Sequence, residues 1–136
     1  MNVYDVLKRD EGLRLKPYRC TAGKLTIGYG RNLDDRGISQ QEAETLLRND
    51  VADAYAECRR EFPWFSGLDE AREAIVVSMV FNLGMAKFKG FHNTIAAIAR
   101  NDYEDAASRM LQSRWAQQVG NRAIRLASAM RTGVLE

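Results

Sequence analysis

Three side chains with reactive chemistry lie close together near the N-terminus: Glu11, Cys20 and Thr26, in the stretch DEGLRLKPYRCTAGKLTIGYG. A glutamate at the end of a helix meets backbone carbonyl dipoles that disfavour its charge, which suits a group that must hand over a proton. The plain alternative, a surface carboxylate at a helix end, is the commoner one for this residue type. A thiol with an ordinary pKa of about 8.5 is only a few per cent ionised at neutral pH, and nearby positive charge raises that fraction. Arg19 and Lys24 flank Cys20 and are the charges expected to do so. If the turn between them centres on Ala22–Gly23, Cys20 and Thr26 lie nearly opposite each other on adjacent strands. Glu11 could then face a thiol and a hydroxyl across a gap one water wide.

Elements of several kinds must hold these groups. Val3, Val6, Leu7 and Asp10 recur at helical spacing, and Gly12 stops that helix just after Glu11. From Leu13 the pattern changes to clustered β-formers, LRLKPYRC and KLTIGYG, around TAGK, which predicts a hairpin or short meander. Gly28 and Gly30, on either side of Tyr29, predict a bulge or a close backbone approach. Ser39 and Glu42 form a capping box that opens a long helix with an apolar stripe through Ala43, Leu47, Val51, Ala54 and Cys58. On that stripe Cys58 reads as a small buried hydrophobe. FPWFSG breaks the chain, and LDEAREAIVVSMVFNLG predicts a central helix ending at Gly84. Shorter helices follow in NTIAAIAR, in YEDAASRML entered through Asp102, in SRWAQQ, and in NRAIRLASAM stopped near Gly133. The plan is a small α+β piece, a connecting helix, and an all-α lobe built mainly from residues 67–133.

The chain has 136 residues, 46% hydrophobic and 28% charged, which suits one globular domain with a real core. No stretch approaches the length of uncharged apolar sequence that a membrane span needs, so no membrane insertion is expected. The start is charged too early for a signal peptide, which leads us to expect a protein held in the compartment where it is made. Two cysteines make no disulfide scaffold, and a Cys20–Cys58 bridge is not expected. Net charge is +2, arranged as two basic segments around an acidic one spanning residues 34–74. Such a pattern fits a negatively charged polymer, nucleic acid or bacterial cell wall, or simply an unevenly charged surface. A nucleic-acid binder is disfavoured because no concentrated basic helix exists. No spacing of His, Cys and carboxylates suggests a metal. No exposed apolar stripe demands a partner, so a monomer is expected.

The blocks DEGLRLKPY, TIGYG, EAETLL, SMVFNLG, GFHNT, SRWAQQ, NRAIR and MRTG occur in the order and spacing of the T-even phage lysozyme family. The chain resembles these phage-type muramidases over essentially its whole length, with a shorter segment after Leu33 and a shorter C-terminal tail. The resemblance implies a lysozyme-like, mostly helical α+β fold: a single domain over 1–136, with an active-site cleft between two lobes. Its small lobe would span 12–60 including the connecting helix, and its helical lobe 1–11 plus 61–136. It implies hydrolysis of the β-1,4 bond between N-acetylmuramic acid and N-acetylglucosamine in peptidoglycan, without a cofactor. Glu11 takes the role of general acid, while position 20 and Thr26 hold and activate the attacking water. Family members commonly carry aspartate where this chain has Cys20. The thiolate could activate water, stabilise positive charge at the sugar, or attack carbon directly, and a catalytically weak wall-binding relative is the alternative.

The same resemblance assigns substrate contacts to Phe81 and Thr94, and to Asn32 and Arg109, which differ in type from the family's residues there. Phe81 reads equally well as core. Arg122 is implied to reach towards Glu11 and Arg125 towards Asp10. Arg31 stands where the family has a histidine that serves stability. His92 is read as surface or cleft rim, and Trp115 as core. An enzyme of this kind accumulates in the host cytoplasm and depends on a separate holin-type permeabiliser to reach the wall.

Overall fold

The computed structural model describes residues 1–136, which form two compact units, Met1–Leu47 and Arg48–Glu136. The first unit begins with α1 (Val3–Glu11), entered through a capping box in which Asn2 and Asp5 exchange backbone and side-chain hydrogen bonds at 3.0 and 3.2 Å. Gly12, at φ 72°, ends the helix and returns its N–H to the Lys8 carbonyl at 3.0 Å. The backbone conformation there is one that only glycine adopts without strain, so the chain leaves α1 directly after Glu11.

Three antiparallel strands follow in the order β1 (Arg14–Arg19), β2 (Leu25–Gly28), β3 (Arg31–Asn32). Tyr18 faces Thr26 and Arg19 faces Leu25, whereas Arg14 faces Gly28, so the register shifts by an irregularity of the bulge kind between Arg14 and Tyr18. Across the other ladder Thr26 faces Asn32 and Ile27 faces Arg31. Ser39 and Glu42 then form the expected capping box, at 2.8 and 3.1 Å, and open α2 (Gln40–Glu61). Thr26 is the one buried residue of the first unit; Val3, Leu7, Leu15, Ile38, Leu46 and Leu47 are exposed.

That exposure corrects the stripe expected along α2. Ala43 and Leu47 lie in solvent, Val51 is half-buried, and only Ala54 and Cys58 are buried. Apolar residues at helical spacing announce a stripe, but burial requires something to pack on, and the helix meets the core of the second unit only from Ala54. Cys58 is fully buried as expected, and burial pushes its thiol up to about 11. Both cysteines are free.

The second unit is helical. A 3-10 turn at Phe65–Gly67 occupies the chain break and buries Phe65. The central helix α3 (Glu70–Leu83), capped by Asp69, buries Ile75, Val76, Val77, Met79 and Val80, so little of its circumference is left to solvent. Around it stand α5 (His92–Ala99), α6 (Tyr103–Gln112), α7 (Arg114–Val119) and α8 (Asn121–Thr132), with α4 (Met85–Lys89) between α3 and α5. Small residues Ala97, Ala106, Ala107, Ala123 and Ala127 are buried, letting these helices approach closely. Trp115 is core, as expected, and donates its indole N–H to Asn82 at 3.1 Å. The helix α4 was not anticipated: Gly84 caps the end of α3 and the start of α4 alike, so it reads as a stop while the chain continues helically. No helix is long and apolar enough to cross a membrane.

Candidate active site

Glu11 is the last residue of α1 and its side chain is exposed. Its carboxyl lies over Gly30, the glycine between β2 and β3, so closely that a Cβ there would stand 2.7 Å from Oε2. The close approach expected from the two glycines is therefore real, and what approaches is the glutamate. Beside it, the Lys8 ammonium lies 5.7 Å from the centre of the Tyr29 ring.

Cys20 follows β1 directly. Its N–H donates to the Lys24 carbonyl at 2.9 Å, and the Gly23 N–H donates to the Cys20 carbonyl at 2.8 Å. These bonds close a three-residue loop, Thr21–Gly23, with Gly23 at φ 78°. Cys20 thus faces Lys24 and not Thr26, which faces Tyr18. The expected opposition of Cys20 and Thr26 is corrected to a diagonal one on the same face, because the loop holds one residue more than a tight two-residue turn.

The Cys20 thiol is half-buried and its pKa is lowered. The largest cause is the backbone N–H of Lys24, then that of Ala22; partial burial opposes them, and the Thr26 hydroxyl helps. The flanking cations are not the cause, contrary to expectation. Arg19, one residue along the strand, bonds the Gly23 carbonyl at 3.2 Å and Asp34 at 3.4 Å, and the Lys24 ammonium bonds Asp35 at 3.1 Å. Backbone donors that need no side-chain identity do what the sequence credits to charge.

Thr26 is 4% exposed, and its hydroxyl donates to the Lys24 carbonyl at 2.8 Å. That hydroxyl carries one proton, which serves either the carbonyl or a Cys20 thiolate. With the proton on the carbonyl, the oxygen's remaining lone pairs are free to accept. Asn32, across the ladder from Thr26, is held by Asp35: its amide donates to the carboxylate at 2.9 Å and its carbonyl accepts the Asp35 N–H at 3.0 Å. Asp34 accepts the Leu25 N–H at 2.7 Å. These two aspartates pin the loop end of the hairpin, a role the sequence pattern did not reveal.

Arg31, next to Gly30, makes a bidentate pair with Glu42 at 2.9 and 2.5 Å and also donates to the Gly37 carbonyl at 3.1 Å. The guanidinium, with the Ser39 N–H and hydroxyl, lowers the Glu42 carboxyl to about 2. So the capping box of α2 also anchors β3.

In the second unit, Thr94 on α5 is buried and Arg109 on α6 is exposed, and both line one cavity of about 620 Å³ with His92 and Trp115. Arg109 donates to Asp105 at 3.4 Å. Phe81 on α3 is 49% exposed, which excludes the core reading, and it lines a separate hollow of about 320 Å³ beside Asp50, Asp53 and Glu57. Arg122 and Arg125 are exposed on α8, and Asp10 on α1 accepts from Arg9 at 3.1 Å. Within the first unit the fold gathers Cys20, Thr26 and Asn32, and sets Glu11 against Gly30. Within the second it gathers Thr94 and Arg109 and keeps Phe81 apart from them.

Comparison with known proteins gives a consistent result. Residues 8–130 match the family model described as phage lysozyme. The chain is 34% identical over 121 positions to an endolysin of Acyrthosiphon pisum secondary endosymbiont phage 1, covering 86% of this chain and 80% of that protein. It is 28% identical over 163 positions to a probable T4-type lysozyme of Dictyostelium discoideum, covering 98% and 96% respectively. It is also 28% identical over 164 positions to the pre-baseplate central spike protein Gp5 of Enterobacteria phage T4; all of this chain is covered, but only 28% of the length of that larger protein.

Proposed function

The chain belongs to the phage lysozyme family, the lysozyme-type glycoside hydrolases, and from that premise we propose that it cleaves the β-1,4 bond between N-acetylmuramic acid and N-acetylglucosamine in peptidoglycan. The observation that carries the reading is the convergence on Cys20. A thiol set among two backbone N–H groups holds negative charge more readily than a free one. In the reaction, Glu11 gives its proton to the glycosidic oxygen as the bond from the anomeric carbon to that oxygen breaks. A water attacks the same carbon from the opposite face and passes its proton to the Cys20 thiolate, which becomes a thiol. Thr26, donating its own proton to the Lys24 carbonyl, accepts a hydrogen bond from that water and fixes its direction. The product is inverted at the anomeric carbon.

Asn32, Phe81, Thr94 and Arg109 contact substrate in this reading, and Asp10, Arg122 and Arg125 support the site. The domain is 1–136. The protein acts as a monomer on the wall of a bacterial host from the cytoplasmic side, after a separate permeabilising protein opens the membrane, as the likeness to an endolysin suggests.

The test is clearing of a chloroform-treated Gram-negative cell suspension. Wild-type protein clears it and Glu11→Gln does not; clearing by Glu11→Gln at the wild-type rate would sink the proposal. If wild-type fails while Cys20→Asp clears, the native chain is a wall-binding relative with little turnover. Retention at the anomeric carbon in a defined oligosaccharide would reassign Cys20 from base to nucleophile.

A further inference from the structure

We propose that Gly30 is a positioning residue for Glu11, placed there because the glutamate occupies the volume that any side chain would need. The inference rests on Glu11 being the general acid, but the contact behind it is purely steric. A Cβ at Gly30 would stand 2.7 Å from Oε2, 3.0 Å from Cδ and 3.2 Å from Cγ of Glu11. Ordinary contact between a methyl carbon and these atoms begins near 3.4 Å, so the whole carboxyl end must move by several tenths of an ångström to admit a methyl group.

The atoms that must give are the far end of an exposed side chain, so they can move at little cost in stability, and the consequence falls on where the carboxyl points. Glu11 ends its helix at Gly12, so its backbone is fixed by the cap while its side chain alone can swing. On the other side, the backbone of Gly30 is held by neighbours: Arg31 is clamped to Glu42 and to the Gly37 carbonyl, and Tyr29 meets Lys8 of α1. A proton donor displaced by about 1 Å loses on the order of a hundredfold in rate, because proton transfer depends steeply on geometry.

The molecule supplies its own control. Gly28 and Gly37 also have positive φ, 70° and 63°, near the 79° of Gly30, but a Cβ at either meets nothing within 4 Å. Alanine at any of the three meets the strain of a positive φ. Alanine at Gly30 alone presses on Glu11.

Five variants decide the matter: Gly30→Ala, Gly28→Ala, Glu11→Ala and the two double variants that combine Glu11→Ala with each glycine substitution. We expect Gly30→Ala to lower kcat by about ten- to a hundredfold with KM within about twofold, and Gly28→Ala to leave both within about threefold. We also expect any melting gap between Gly30→Ala and Gly28→Ala to be small in the wild-type background, because an exposed side chain can yield, and to vanish where Glu11 is alanine. If Gly30→Ala does not fold by itself, its double variant with Glu11→Ala must. A kcat for Gly30→Ala equal to that of Gly28→Ala, or a melting gap that persists without the glutamate, overturns the proposal. Full activity in Glu11→Gln would instead remove the catalytic reading, and the melting comparison would still decide the contact.

Discussion

Arg72 fastens the start of the central helix to the end of the last one, and its removal should be felt far beyond its own turn. The side chain is 15% exposed. Its Nε donates to the Met130 carbonyl at 2.7 Å and Nη2 to the Arg131 carbonyl at 2.9 Å, two carbonyls that the C-terminus of α8 leaves without helical partners. Nη1 bonds Asp69 at 3.1 Å, and the guanidinium carbon lies 3.7 Å from the centre of the Tyr103 ring. A hydrogen bond from a charged donor contributes about 1.5–3 kcal/mol, and the lower figure applies here because water can reach the Arg131 side. The cation–π contact adds about 0.5–1 kcal/mol and the half-exposed pair with Asp69 less than that. Methionine keeps the aliphatic packing and none of these bonds, so Arg72→Met should cost about 3–4 kcal/mol, roughly 10 °C in Tm. Lysine keeps the charge but cannot fork between two carbonyls, so Arg72→Lys should lose about half as much. Urea unfolding followed by circular dichroism measures both. A loss below about 1 kcal/mol for Arg72→Met, or a lysine variant as stable as wild type, would show that water replaces the fork at no cost and refute the reasoning.

Two further outcomes follow from titrating groups. The Glu42 carboxyl is lowered from an ordinary 4.5 to about 2 in the folded protein, by Arg31 first and the Ser39 donors next. A depressed folded pKa stabilises above the unfolded value, so the contribution is complete above about pH 5 and disappears as pH falls towards 2. The Tm gap between wild type and Glu42→Gln should therefore be present at pH 6 and close on acidification; a gap unchanged at pH 2 contradicts the clamp. Iodoacetamide should label one thiol in the native protein, Cys20, and a second only after denaturation, because burial holds Cys58 up to about 11 and shields it. Mass spectrometry of the labelled peptides reads this directly, and native labelling of Cys58 would contradict it.

Helix ends were the most legible part of the sequence, because capping is local chemistry. Ser39 with Glu42 and Asp102 cap where the sequence places them, Gly12 and Gly133 end helices as expected, and Asp69 and Ser113 add caps that the reading did not single out. Helix burial was less legible, since periodicity along α2 says which residues share a face and not whether anything covers it. At the site, residue types pointed to Glu11, Cys20 and Thr26, but their register did not. A stretch such as TAGK accommodates a two- or a three-residue loop, and that one residue decides what faces Cys20. The donors that lower its thiol are backbone groups, which every residue has and no sequence displays. Gly30 announced a close approach without saying to what.

Among residues 1–47 the single buried side chain is Thr26, a member of the proposed catalytic set, whereas the apolar core lies wholly beyond Leu47. Stability and chemistry therefore respond to different mutations. Substitutions in α3 or among the buried alanines are felt as a damaged core, while in the first unit stability rests on local contacts such as the Arg31–Glu42 clamp. A library screened for soluble yield would register the apolar core first and the N-terminal third mainly at its clamps and caps. The segment proposed to carry the reaction is thus the one in which new chemistry can be tried at less risk to the apolar core, and a cysteine at position 20 is the kind of residue such freedom admits.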